Sequence, residues 1–274
     1  MNYFDSLFLG ALQGITEFLP ISSSGHLVIL EHLLGLKVEA LKSFDVSLHI
    51  GSLVAILFYF RKDFYELFAT FFKSIFKLKI DFSDAYTKMI FYLVAGSIPA
   101  VVVGVLFEDQ IDTFFRNSRN VFINMIIVGV IFLLAEFVYK KYYKNPVNEV
   151  GKIGIKNVII IGIAQAIAII PGVSRSGSTI TAGLFCGVKR EIAARFSFLL
   201  GSIAIFGAGL LTAIKELKGE SDFALVGFSN LSLGFFSSLV FSFLAISFLM
   251  KFLKNHSLAV FAVYRIAIGV IGLL

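Results

Sequence analysis

The chain has no tryptophan, one cysteine and four prolines in 274 residues, and only 15% of its residues are charged. The lone Cys186 excludes an intrachain disulfide; set in a Gly-rich apolar segment, it reads as packing. So few charges over this length leave too little polar surface for a soluble globule. A basic n-region is also missing from the N-terminus, and cleavage at a typical signal length would remove the first polar motif. A cleaved signal is therefore not expected. Acidic groups are the scarcer charge, with 18 Asp and Glu against 24 Lys and Arg, a net +6. The excess lies in short loops between apolar runs, the pattern of the positive-inside rule, and nucleic acid is not an expected partner.

What is abundant is apolar: 58% hydrophobic residues, 32 of them Phe, with a mean hydropathy of +0.90. This composition predicts an all-α, polytopic membrane protein whose partner is the lipid bilayer. Full spans are expected at 44–60, 89–107, 121–139, 196–214, 228–250 and 258–274. Segments 7–19 and 24–34 are too short to cross about 30 Å of hydrocarbon, as are 157–170 and 178–187. Each pair reads as a re-entrant helical hairpin, giving six spans plus two hairpins. Residues 61–88 carry Phe64, Phe68, Phe71, Phe72, Ile75 and Phe76 at helical spacing among lysines that include Lys73, Lys77 and Lys79. They suggest an amphipathic helix lying in the cytoplasmic interface. The stretch with Glu108, Asp109, Asp112, Arg116 and Arg119 reads as a loop without positive bias, and that with Lys189, Arg190 and Arg195 as a basic loop.

The hairpin tips hold the unusual chemistry. The first reads Gln13-Gly14-Ile15-Thr16-Glu17-Phe18-Leu19-Pro20-Ile21-Ser22-Ser23-Ser24-Gly25-His26, and the second Pro171-Gly172-Val173-Ser174-Arg175-Ser176-Gly177-Ser178-Thr179. Gln13 and Glu17 share a helical face, Pro20 stops that helix, and the serines are good caps for the next. Runs of Pro, Gly and Ser mark ordinary turns in soluble proteins. Inside a membrane, Glu, His and Arg are costly, and two such runs together point to a site.

The second run repeats the first. Gln13 precedes Gly25 by twelve positions and Gln165 precedes Gly177 by twelve, while Ser22-Ser23-Ser24-Gly25 aligns with Ser174-Arg175-Ser176-Gly177. A hairpin plus three spans per half makes the halves oppositely oriented, an inverted repeat of 1–140 and 152–274 within a single membrane domain, 1–274.

Met tip to tip, the inventory is an arginine, helix-start N–H groups, hydroxyls, an imidazole and a carboxylate. The first two imply phosphate or diphosphate; the rest supply a nucleophile or base and its orienter. Phosphoryl transfer needs little more than positioning and charge neutralisation. A helix start favours the neutral His26 ring, which can accept a proton or attack. Asp45 and His49 share a face of the following span and could relay a proton or bind metal, though near a span's end such residues are more often solvated or packed. They stand second in rank with Gln13 and Gln165, and replacement of His49 or Cys186 is expected to be tolerated. A transporter of an anion would use the same topology and is the rival class; His26 and Glu17 beside the serines favour chemistry.

These motifs, with the Phe196-Ser197-Phe198-Leu199-Leu200 run and Tyr264-Arg265, resemble the signatures of the undecaprenyl-diphosphate phosphatase (bacitracin-resistance) family over essentially the whole chain. The resemblance implies an enzyme of the bacterial plasma (inner) membrane that converts undecaprenyl diphosphate to the monophosphate, recycling the lipid carrier of cell-wall synthesis. It implies a site open to the extracytoplasmic side, a divalent cation (Mg2+ or Ca2+) and a homodimer. By position, Glu17, His26, Arg175 and Ser23 would be catalytic, with Ser22, Ser24, Gly25, Ser174, Ser176, Gly177 and Thr179 around the phosphates. Gln13 stands where many members have Glu, so any metal role rests on Glu17. Ser23, His26 and water remain alternative nucleophiles.

Overall fold

Asn2 opens the first helix, α1 (Tyr3–Phe18). Its side chain accepts the Asp5 N–H at 2.9 Å while the Asp5 carboxylate accepts the Asn2 N–H at 2.8 Å, a reciprocal cap. Pro20 stops the helix, and α2 (Ser23–Leu33) begins after a break of four residues. The computed structural model describes residues 2–33, 42–76, 80–115, 117–217 and 226–274. The chain is all-helical over these, apart from an isolated bridge between Val147 and Val188. The remaining α-helices among the described residues are α3 (Lys42–Tyr59), α4 (Arg61–Phe76), α5 (Ala85–Phe115), α6 (Ser118–Tyr142), α7 (Ile155–Ile167), α8 (Arg175–Phe185), α9 (Arg190–Leu217), α10 (Phe228–Phe252) and α11 (Ala259–Leu273), with a short 3-10 helix at Val150–Lys152. Lys77, Lys79 and Arg116 lie outside the described residues, as do Leu34 and the side chains of Glu108, Asp109 and Asp112.

Four helices among the described residues are long and apolar enough to cross a bilayer: Ala85–Phe107 within α5, α6, Arg190–Leu211 within α9, and α10. α3 and α4 qualify only as a pair bent by 80°, and α11 has 15 residues, fewer than a straight crossing needs. α4 carries Phe68, Phe71, Phe72, Ile75 and Phe76 on its exposed side and buries Asp63 and Leu67.

Two expected loops are helical instead. α5 continues through Glu108, Asp109 and Asp112 to Phe115, because no breaker interrupts it before Asn117, whose side chain caps α6 by accepting the Asn120 N–H at 2.8 Å. Arg190 and Arg195 likewise sit on the first turns of α9, each held by a buried acid. Glu136 of α6 takes the fork of Arg190, with Nε at 2.9 Å, and also accepts the Leu258 N–H at 2.8 Å. Asp63 of α4 binds Arg195. Just ahead of them, Lys189 meets Glu191 at 2.7 Å, a hydrogen bond that holds the lysine above its ordinary pKa. The basic segment is therefore a staple tying α9 to α4 and α6.

Small residues set the packing of the hairpins. A Cβ on Gly10 would lie 2.5 Å from the Gly234 carbonyl oxygen, and one on Gly162 would lie 2.4 Å from that of Gly96. α1 thus lies directly on α10, and α7 on α5. In lipid, where burial alone gives no drive for helices to associate, such close backbone contact is what holds them. Phe18 meets Phe198 edge-on with ring centroids 5.2 Å apart, joining the end of α1 to α9.

Candidate active site

The two breaks are built alike. Ser22 (φ 77°) and Ser174 (φ 76°) are the non-glycine residues in the left-handed region among the described residues, a conformation costing about 1–3 kcal/mol each. Each hydroxyl offsets part of that cost by capping the helix that follows. Ser22 Oγ accepts the Gly25 N–H at 3.3 Å, and Ser174 Oγ accepts the Gly177 N–H at 3.2 Å. Their carbonyls accept the N–H groups of His26 and Ser178, at 3.2 and 2.9 Å. The breaks also touch: a Cβ on Gly25 would stand 3.6 Å from the Gly172 Cα.

Across that contact runs an ion pair. Arg175, the first residue of α8, donates from Nη2 to Glu17 Oε1 at 2.8 Å. The other carboxylate oxygen accepts the Ser23 hydroxyl at 2.6 Å and the Gln13 amide at 3.0 Å. His49 Nε2 of α3 comes within 3.5 Å of the same oxygen, its Nδ1–H donating to the Asp45 carbonyl at 2.7 Å. Glu17 is buried, and a buried charge is tolerable only with partners such as these. The guanidinium packs against Gly201 of α9, where a Cβ would fall 1.6 Å from Nη1. Nε and Nη1 have no acceptor among the described residues, so the fork keeps donors for an incoming anion.

α11 reaches the same place with two consecutive residues. Arg265 is completely buried and forms no ion pair among the described residues; it donates to the carbonyls of Pro20 at 3.4 Å, Gly172 at 2.7 Å, Val173 at 3.1 Å and Met125 at 3.4 Å. It lies over the Phe132 ring, 5.2 Å from the centroid. One side chain therefore fastens both breaks to α6, and Asn124 adds a bond to the Pro171 carbonyl at 2.8 Å. Tyr264 places its hydroxyl 2.8 Å from His26 Nε2, while His26 Nδ1 is 2.7 Å from the Ser22 carbonyl.

Of the other sequence candidates, Ser24 is exposed, and Ser176 lies 3.4 Å from the Ser174 hydroxyl. Thr179 donates to the Arg175 carbonyl at 2.8 Å and pairs with Ser197. Gly177 packs under Phe132. Gln165 is buried, and neither of its amide atoms has a partner among the described residues. His49, placed second in rank, stands beside Glu17; Asp45 holds it through its carbonyl. Sequence reasoning did not assign roles to Tyr264, Arg265 or Gly201. An arginine within an otherwise apolar last helix was the available signal for the first two. For Gly201 there was none, because its role is to be small beneath a side chain distant in sequence.

A divalent cation would find few dedicated ligands: no group of three or more His, Cys, Asp or Glu residues gathers among the described residues. Glu17 with Gln13 Oε1, a buried oxygen without a partner among the described residues, fits a cation whose remaining ligands are phosphate oxygens and water.

Apolar helices long enough to cross a bilayer, packed around a cluster of charged and hydroxylated side chains at two helix breaks, define a multi-pass membrane protein. Within that class the particular family follows from comparison. The chain belongs to the family described as Bacitracin resistance protein BacA, which it matches over residues 6–271. Proteins named undecaprenyl-diphosphatase are similar to it along their whole length. That of Rubrobacter xylanophilus is 40% identical over 273 residues, covering 98% of this chain and 96% of the relative. That of Thermomicrobium roseum is 40% identical over 285 residues, covering 100% and 98%. That of Methanosphaera stadtmanae is 40% identical over 282 residues, again covering 100% and 98%.

Proposed function

We propose that this protein hydrolyses undecaprenyl diphosphate to undecaprenyl phosphate and inorganic phosphate, returning the lipid carrier to cell-wall synthesis and conferring bacitracin resistance. The observation that carries the reading is the Glu17–Arg175 ion pair, which joins the two hairpins and has the Ser23 hydroxyl on the carboxylate. An anion-binding fork and a nucleophile with its base meet there at helix starts. The diphosphate lies against the first turns of α2 and α8, where unpaired backbone N–H groups favour phosphate. Its charge is met by the free Nε and Nη1 of Arg175, which also stabilise charge developing in transfer. An all-apolar groove between α5 and α7, lined by Pro99, Val102, Val103, Ile163, Ile167 and Ile170, ends one residue before Pro171 and suits the prenyl chain.

Ser23 attacks the terminal phosphorus and its proton passes to Glu17. The bond between that phosphorus and the bridging oxygen breaks, and undecaprenyl phosphate leaves. Water, deprotonated by His26, then hydrolyses the phosphoserine. Glu17 and Gln13 Oε1 would be the chain's ligands for a divalent cation, which when bound would neutralise charge on the diphosphate. The wider arrangement is six crossings and two hairpins, with halves 1–140 and 152–274 in inverted repeat, in a homodimer of the bacterial inner membrane whose site opens to the extracytoplasmic side. The matching left-handed serines and the paired glycine contacts support the repeat.

Purified protein in detergent should release inorganic phosphate from undecaprenyl diphosphate and stop when a chelator is added. Arg175→Ala and Glu17→Ala should each lose nearly all turnover, at least about a hundredfold by analogy with removal of a transition-state donor. A protein that binds the lipid yet releases no phosphate would be a transporter instead. Single-turnover trapping should yield phosphoserine at Ser23; phosphohistidine at His26, or no adduct, would overturn that assignment.

A further inference from the structure

We propose that Tyr264 is a positioning residue for the reaction, orienting the His26 ring, whose tautomer the Ser22 carbonyl sets, and passing a proton to its Nε2. The inference rests on the reading above that His26 takes part. A carbonyl oxygen can only accept, so His26 Nδ1, 2.7 Å from the Ser22 carbonyl, carries a proton. In the neutral ring the lone pair therefore belongs to Nε2. The Tyr264 hydroxyl, 2.8 Å away, donates to it. The phenol hands its own proton to Nε2 as its oxygen takes one from water, and it then accepts a hydrogen bond from Nε2, so the ring is held in both states. The rings lie nearly parallel, 9° apart with centroids at 5.7 Å, which limits tilting of the imidazole.

The position of Tyr264 is not free to drift. Its neighbour Arg265 is locked to carbonyls of both breaks and of α6, which fixes the register of α11 against the tips. The ring of Tyr264 is 40% exposed, so removing its hydroxyl opens no void in a packed core. The dipeptide thus separates two tasks: Arg265 fixes where the breaks are, and Tyr264 orients the His26 ring at Nε2.

Two measurements test this. In protein carrying isotope-labelled histidine, imidazole nitrogen NMR, with His26 assigned by its loss in His26→Asn, should show the Nδ1–H tautomer. Tyr264→Phe should keep that tautomer but shift the Nε2 resonance downfield, because the hydrogen bond it accepts is lost. The same variant should lose about tenfold in kcat, the scale of one positioning hydrogen bond, with KM for undecaprenyl diphosphate unchanged within about twofold. An Nε2–H tautomer in the wild-type protein, unchanged kcat in Tyr264→Phe, or a raised KM without loss of kcat would each overturn the proposal. Failure of the underlying reading looks different: His26→Asn would then turn over at the wild-type rate. An inactive His26→Asn beside a fully active Tyr264→Phe would remove Tyr264 alone.

Discussion

Arg175 and Arg265 are both guanidinium groups in apolar surroundings, and they are spent differently. Arg265 satisfies its donors with four backbone carbonyls and has little left to offer a ligand. Arg175 commits Nη2 to Glu17 and leaves Nε and Nη1 without acceptors among the described residues. Chemistry follows the unsatisfied group. Sequence exposed Arg175 through its Ser-Arg-Ser-Gly setting, whereas a lone arginine in α11 gave no hint of its carbonyl partners. Gly201 yields the sharpest prediction at this scale. Gly201→Ala would push the guanidinium off its seat and away from Glu17, and phosphate release should fall at least about tenfold, a modest misplacement of a transition-state donor. Gly207→Ala on the same helix, with open space around it, should leave the rate unchanged. The expectation that His49 is replaceable also changes, since its Nε2 lies 3.5 Å from Glu17. His49→Gln should now lower turnover measurably in the same assay.

At the level of helices, the breaks were legible because proline, glycine and serine act locally: α1 ends at Phe18 and α8 starts at Arg175, both beside their motifs. The extension of α5 and the early start of α9 were not legible, because charged residues were read as loop. A charge ends a membrane span but need not end a helix. The structure shows what the basic residues of α9 do instead: Arg190 and Arg195 meet Glu136 and Asp63, partners more than fifty positions away. Removing one member of a largely buried pair costs about 3 kcal/mol or more, because the other charge is left uncompensated. Glu136→Gln should accordingly lower the unfolding temperature in detergent while leaving phosphate release intact at temperatures where the variant is folded. A loss of turnover at full stability would instead tie this staple to the chemistry.

For the whole molecule, charge bias and hairpin count together predict two halves of opposite orientation, and the matching angles at Ser22 and Ser174 agree with that proposal. Their matching backbone angles could not be read from sequence, because serine seldom adopts a positive φ. Orientation can be tested directly, since the chain has a single native cysteine. In a Cys186→Ser background, cysteines placed at Ser83, Lys144 and Asn255 should react with an impermeant thiol reagent only when the cytoplasmic face is opened. A cysteine at Asn117 should react in intact cells. Labelling of all four from one side would sink the inverted arrangement.

The carboxylate and guanidinium that meet between the hairpins come from positions 158 residues apart in the chain, and neither can comfortably do without the other. Alone, the segment that carries Arg175 would bring into hydrocarbon a cation whose acidic partner, Glu17, had been left behind. Completion of the machinery and electrical peace within the lipid are thus a single event during assembly, so a misjoined molecule announces itself as unstable before it can be merely inactive.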